Sequence, residues 1–127
     1  MEQTVLPYPK WWLDRAAERK ALLDSAVERL AVHCARNPTI VEALVFGSHA
    51  LGRVGPKSDL DVMIVQESNA SQSTRTAKLY VELTDALDMA IDLIVYTPEE
   101  FRRLSKTRNF VIEAVAHGQR IYARTSA

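Results

Sequence analysis

The chain has 127 residues, one domain's worth, and with 47% hydrophobic and 25% charged residues it has the balance of an ordinary globular protein. Lysine plus arginine and aspartate plus glutamate both total 16, so the formal net charge is zero, which argues against a broadly basic nucleic-acid-binding surface. The lone Cys34 excludes an intrachain disulfide framework and a cysteine-built zinc site, and no charge-free window reaches membrane-spanning length.

In chain order, residues 1–9 contain Pro7 and Pro9 and are expected as an extended arm. This stretch lacks the continuous apolar core of a signal peptide, so a cytoplasmic chain is expected. Trp12, Ala16, Leu23, Val27, Leu30 and Cys34 recur at helical intervals, predicting an amphipathic helix over 11–35. Arm and helix thus occupy 1–35 of a single domain spanning 1–127. Trp11 and Trp12 suit either local packing or a partner contact.

Asn37-Pro38 breaks the helix, and 40–46 reads as a first strand, apolar on both faces. Gly47-Ser48 ends it, a short helical turn follows over HALG, and Gly55-Pro56 with Ser58 marks a loop. A second strand is expected from Asp59 to Gln66. Its period of two puts Asp59, Asp61 and Met63 on one face and Leu60, Val62 and Ile64 on the other. After the polar connector ESNASQS, Leu79, Leu83 and Leu87 make the stripe of a helix over 73–88. A third strand, 90–96, sets Asp92 and Ile94 opposite Ile91, Leu93 and Val95. Thr97-Pro98-Glu99-Glu100 is a helix start, leading to about residue 105. A further helix over 108–117, with Phe110, Val111, Ala114 and Val115 inward, ends at Gly118 before a short final strand in GQRIYAR.

This order implies an α/β (α+β) fold with a small mixed sheet. Strands one and two, joined without a crossover, should be antiparallel, and strands two and three, separated by a helix, parallel. Helices are expected on one face and the three aspartates on the other.

The chemistry is concentrated after the first strand. Gly47 permits close approach, and Ser48 adds a hydroxyl and backbone donors suited to a phosphate oxygen. After ten intervening residues, Asp59 and Asp61 offer hard oxygen ligands on a common side, with Asp92 able to join them from the next strand. Carboxylates this close repel, by roughly 1–4 kcal/mol for a pair at about 4 Å, and a magnesium ion would relieve that while orienting a triphosphate. Taken singly, Gly47 could be a turn residue and the aspartates solvated strand ends; their matched parity and the intervening loop favour a site. Arg53 and Lys57 in the loop, and Arg75 or Lys78 in the helix, are cations that could reach phosphate or simply be solvated. His49 reads as a loop residue supporting the site rather than a metal ligand. GSHALG is not a P-loop, since the Gly-Lys-Ser/Thr ending is absent.

The pattern Gly47-Ser48, His49 to Ser58, Asp59-Leu60-Asp61 and then Asp92 resembles the minimal nucleotidyltransferases of the DNA polymerase beta-like superfamily, as in HEPN/MNT toxin–antitoxin pairs. The resemblance extends from about Val41 to Tyr96, and the FVIEAVAHGQRIYAR tail is similar as well. It implies that Gly47 and Ser48 hold nucleotide phosphates, with Arg53, Lys57 and Lys78 as candidate helpers. Asp59 and Asp61 would ligate magnesium, or manganese in its place, while Asp92 would complete the metal site and activate an acceptor hydroxyl. The implied reaction is transfer of a nucleotidyl group, AMP from ATP in the first instance, to an acceptor on a small helical HEPN-type partner. His49 and Leu51 stand where the family often has Arg or Tyr and then Arg. That departure, with Trp11-Trp12, motivates the alternative of a noncatalytic antitoxin-like module acting by association. Neither membrane nor nucleic acid is indicated as a partner, and a homo-oligomer is left open.

Overall fold

The computed structural model describes residues 7–125. Helix α1 (Lys10–Arg36) leads into β1 (Ile40–Phe46), the single turn α2 (Gly47–Ala50), β2 (Asp61–Gln66), α3 (Gln72–Leu87) and β3 (Asp92–Tyr96). Helices α4 (Pro98–Thr107) and α5 (Asn109–His117) follow, and β4 (Gln119–Ala123) closes the order. Only the end of the expected arm is among the described residues, where Tyr8 stacks on Trp12 with ring centroids 3.9 Å apart. None of the described helices is long and apolar enough to cross a membrane.

Local sequence explains the helix limits. Ser71 accepts the Thr74 N–H at the start of α3, and Asp88 ends that helix in the left-handed region at φ 52°. At α4, Thr97 and Glu100 form a reciprocal capping box with Pro98 in the first turn. Arg75 extends the Leu79, Leu83 and Leu87 stripe inward instead of being solvated or meeting phosphate. It is buried, donating to the carbonyls of Val95 at 3.2 Å and Ala70 at 3.1 Å and pairing with Glu100. Burial would push the Glu100 carboxyl up, but the Thr97 backbone N–H and hydroxyl, with Arg75, hold it below the usual range.

The sheet order is β3-β2-β1-β4, with β1 antiparallel to β2 and β4, and β2 parallel to β3. The mixed sheet is as expected, but its helices lie on both faces rather than one. Ala43, Val45, Val62, Ile64 and Val95 pack with α1 and α3 through Leu23, Leu30, Leu79 and Leu83. On the opposite face, Leu44, Met63 and Tyr96 pack with Val111 and Ala114 of α5 and Phe101 and Leu104 of α4. The aspartate face is therefore apolar two residues inward from Asp61 and Asp92, at Met63 and Ile94, and strands apolar on both sides require cover on both. The β2 ladder also starts at Asp61 rather than Asp59. Leu60 nonetheless is buried, and its carbonyl accepts the Asp92 N–H at 2.9 Å.

Candidate active site

Strand register assembles the site. Phe46 pairs with Asp61 across β1 and β2, and Asp61 with Asp92 across β2 and β3, so the end of one strand meets the starts of two others. Neighbouring parallel strands lie about 4.8 Å apart, which sets the two carboxylates side by side on one face. Burial first, then the Asp92 carboxylate and the charge of Asp59, push the Asp61 carboxyl up to about 6. Gly47 closes against this pair. Its φ is +72°, and a Cβ built there would stand 2.0 Å from Asp61 Oδ2, so both backbone and space require glycine.

Asp59, expected on the same strand face, precedes the ladder, and its side chain is 61% exposed. It lies within electrostatic reach of Asp61. Among the described residues, no three His, Cys, Asp or Glu side chains already surround one point. The structure thus pairs Asp61 with Asp92 and leaves Asp59 at the rim.

The connection from Gly47 to Asp59 is a closed series of turns. Leu51 N–H donates to the Gly47 carbonyl at 3.1 Å and Arg53 N–H to the Ser48 carbonyl at 2.8 Å, while Ser58 Oγ accepts the Gly55 N–H at 2.8 Å. His49 turns toward α1: its ring is only 10% exposed, and Nε2 lies 2.7 Å from Asp24 Oδ1. Asp24 also accepts from Lys20 Nζ at 2.7 Å. The Lys20 hydrogen bond, then that of His49, holds the Asp24 carboxyl below its usual range.

Of the candidate cations, Arg53 and Lys57 are exposed on the connection itself. Lys78 is not brought to this end of the sheet. It lines a cavity with Thr39, Gln66 and Glu67, at the opposite ends of β1 and β2 from Gly47 and Asp61. Arg75 and Lys78, three apart on α3, line the same cavity, but Arg75 is buried and Lys78 exposed.

A cavity of about 380 Å³ lies beside Gly47 between the end of β1 and α5, lined by Phe46, Gly47, Leu51, Phe110, Glu113 and His117 among others, with none of the three aspartates in its lining. Phe110 meets Phe46 edge-to-face at 5.4 Å but remains half-exposed, so it is a wall of this cavity more than a core residue. Sequence reasoning also passed over Arg19 and Asp24. Arg19 donates through Nε to the Ser58 carbonyl at 2.8 Å. The available signal was its place between Ala16 and Leu23 in the apolar stripe of α1, where a charge needs a partner.

Residues 27–117 match the nucleotidyltransferase domain family. A Sulfolobus solfataricus protein provisionally described as a nucleotidyltransferase is similar in structure, with a TM-score of 0.53, 19% identity and 94% of each chain covered. A mutant of the toxin–antitoxin pair MntA–HpeT matches with a TM-score of 0.50 and 20% identity over 77% of this chain and 73% of that one. The complex of a tri-AMPylated Shewanella oneidensis HEPN toxin with an MNT antitoxin matches with a TM-score of 0.40 and 16% identity, covering 87% of this chain and 71% of that one. No curated protein matches the chain in sequence.

Proposed function

The chain belongs to the nucleotidyltransferase domain family, and from that premise we propose that it transfers AMP from ATP to a hydroxyl group on a helical HEPN-type partner protein. The observation that carries the reading is the Asp61–Asp92 pair, set in register on adjacent parallel strands against a glycine with no room for a side chain. The partner is supported by the sequence resemblance and by the toxin–antitoxin assembly of the similar MntA–HpeT pair.

A divalent cation fits the residues present. Asp61 and Asp92 offer adjacent hard oxygens, and the raised Asp61 carboxyl marks a place where negative charge lacks compensation. Asp59, at the rim, would be the third ligand. Held by these carboxylates, magnesium or manganese would supply charge neutralisation and Lewis-acid polarisation of a phosphoryl oxygen.

The chain's own residues do the rest. Gly47 and Ser48 receive the β- and γ-phosphates at the start of the connection, and Arg53 and Lys57 add positive charge beside them. The cavity between Phe46 and Phe110 takes the nucleoside, since it opens at Gly47 and offers apolar and aromatic walls. Asp92, exposed at the strand edge, orients the acceptor hydroxyl and accepts its proton. The acceptor oxygen forms a bond to the α-phosphorus, the bond from that phosphorus to pyrophosphate breaks, and pyrophosphate leaves with the electron pair.

Incubation of the chain, co-purified with the protein encoded beside it, with ATP labelled in either the α- or the γ-phosphate tests the reaction type. Covalent retention of α-label alone is expected; γ-label on the partner would indicate phosphoryl transfer and overturn the assignment. A second reading, neutralisation of a partner by association, is favoured by one observation: Trp11 stands 58% exposed beneath the Arg15 guanidinium, 5.4 Å from its ring centre. Under that reading Trp11→Ala weakens the complex while Asp61→Asn does not.

A further inference from the structure

Helix α1 grips the connection between Gly47 and Asp61 at three places, and all three gripping residues precede the span 27–117 that matches the family. In the middle, the Trp12 ring lies over Gly55, where an added Cβ would come within 3.2 Å of it. At the start, Asp24 holds the His49 ring at 2.7 Å. At the end, Arg19 donates through Nε to the Ser58 carbonyl at 2.8 Å and brings Nη2 to 3.7 Å from Asp59 Oδ1.

We infer that α1 is a splint for the catalytic connection and that Arg19 is the positioning residue that sets where the Asp59 carboxylate stands. The inference rests on the metal-ligand role proposed for Asp59. Asp59 precedes the β2 ladder, so strand pairing does not fix it as it fixes Asp61. Beyond the Leu60–Asp92 hydrogen bond, the restraint beside it is Arg19 on the preceding carbonyl. The Arg19 stem follows the apolar stripe of α1 and its side chain is 26% exposed, so the guanidinium is held by packing before it meets the loop. At 3.7 Å its Nη2 attracts Asp59 without a close hydrogen bond, and the carboxylate, 61% exposed, keeps its oxygens open to a cation.

Positioning and simple charge make opposite predictions. A guanidinium beside a carboxylate competes with a metal ion, so on charge alone its removal tightens metal binding. If Arg19 instead fixes the ligand, its removal weakens binding, as loss of groups that orient metal ligands does.

The experiment is Mn2+ binding to the whole chain without nucleotide, followed by electron paramagnetic resonance, for the native protein, Arg19→Met and Arg19→Lys. Methionine keeps the packed stem, and lysine keeps a charged donor that reaches Ser58. Arg19→Met is expected to weaken Mn2+ roughly tenfold, and Arg19→Lys to recover most of that loss. Amide exchange at Asp92, whose N–H the Leu60 carbonyl accepts, should quicken in Arg19→Met. Native-like or tighter Mn2+ binding by Arg19→Met overturns the positioning role, whereas failure of the native chain to bind Mn2+ overturns the metal site itself. Should Arg19→Met not fold, Asp24→Ala probes the other end: it is expected to raise KM for ATP severalfold with Mn2+ affinity little changed, and an unaltered KM contradicts the splint.

Discussion

Replacing Asp61 by asparagine should make the metal-free protein more stable at neutral pH while abolishing transfer. The native carboxyl is raised from 3.8 to about 6, with burial the largest cause and the Asp92 and Asp59 charges adding to it. In the unfolded chain the same group loses its proton near its ordinary value. Between the two values the folded protein holds more protons than the unfolded one, so stability falls as pH rises from about 4 through 6, and the full penalty applies above that. A shift of this size corresponds to about 3 kcal/mol at most, and because much of the carboxyl is in water the screened value is nearer 1–2 kcal/mol. Asparagine carries no charge and keeps nearly the same shape. For a chain of this length the gain corresponds to a melting temperature higher by roughly 3–8 °C at pH 7.5. Calorimetric or circular-dichroism melts in EDTA at pH 7.5 and below pH 4 measure it, and the difference between variants should shrink toward zero at the acid end. A less stable Asp61→Asn protein at pH 7.5, or a gain independent of pH, would refute the placement of a compressed carboxylate pair at the strand ends.

Three other substitutions probe separate parts of the account. Gly47→Ala drives a methyl group into Asp61 at a positive φ and should destabilise the fold by about 1–3 kcal/mol and reduce transfer at least a hundredfold, read from melts and a turnover assay. Arg75→Met takes the Arg75 donor from the carbonyls of Val95 and Ala70 and the ion-pair partner from Glu100, which keeps only the Thr97 N–H, and should lower unfolding free energy in urea by about 2–4 kcal/mol. Phe110→Ala opens a cavity wall that is already half-exposed; it should raise KM for ATP about tenfold with little change in melting temperature, and a reversed pattern would make Phe110 a core residue.

The spacing from Gly47-Ser48 to Asp59-Leu60-Asp61, and the parity shared by Asp61 and Asp92, were legible because strand alternation is a two-residue rule that tertiary context seldom alters. Strand directions followed from the connections, since a chain returning through α3 can lie parallel while one returning through turns cannot easily do so. Cover on both faces was readable too, from Met63, Ile94 and Tyr96 sharing the aspartates' parity, although helices were expected on one face only. Arg75 continued the stripe of Leu79, Leu83 and Leu87 by four residues, a core position that its charge disguised. The roles of Arg19 and Asp24 were less accessible. Their partners Ser58 and His49 lie 39 and 25 residues away, and only the packing of α1 across the loop joins them.

The central claim is that the strand-end aspartates of this chain direct AMP onto a partner protein. Its most direct test is the intact mass of the co-purified partner after incubation with ATP and magnesium, using the native chain and the Asp59→Asn/Asp61→Asn double variant. Added mass equal to one or more AMP groups is expected with the native chain and none with the variant, the two complexes remaining assembled. An unmodified partner in the native complex, or equal modification by both proteins, would contradict it.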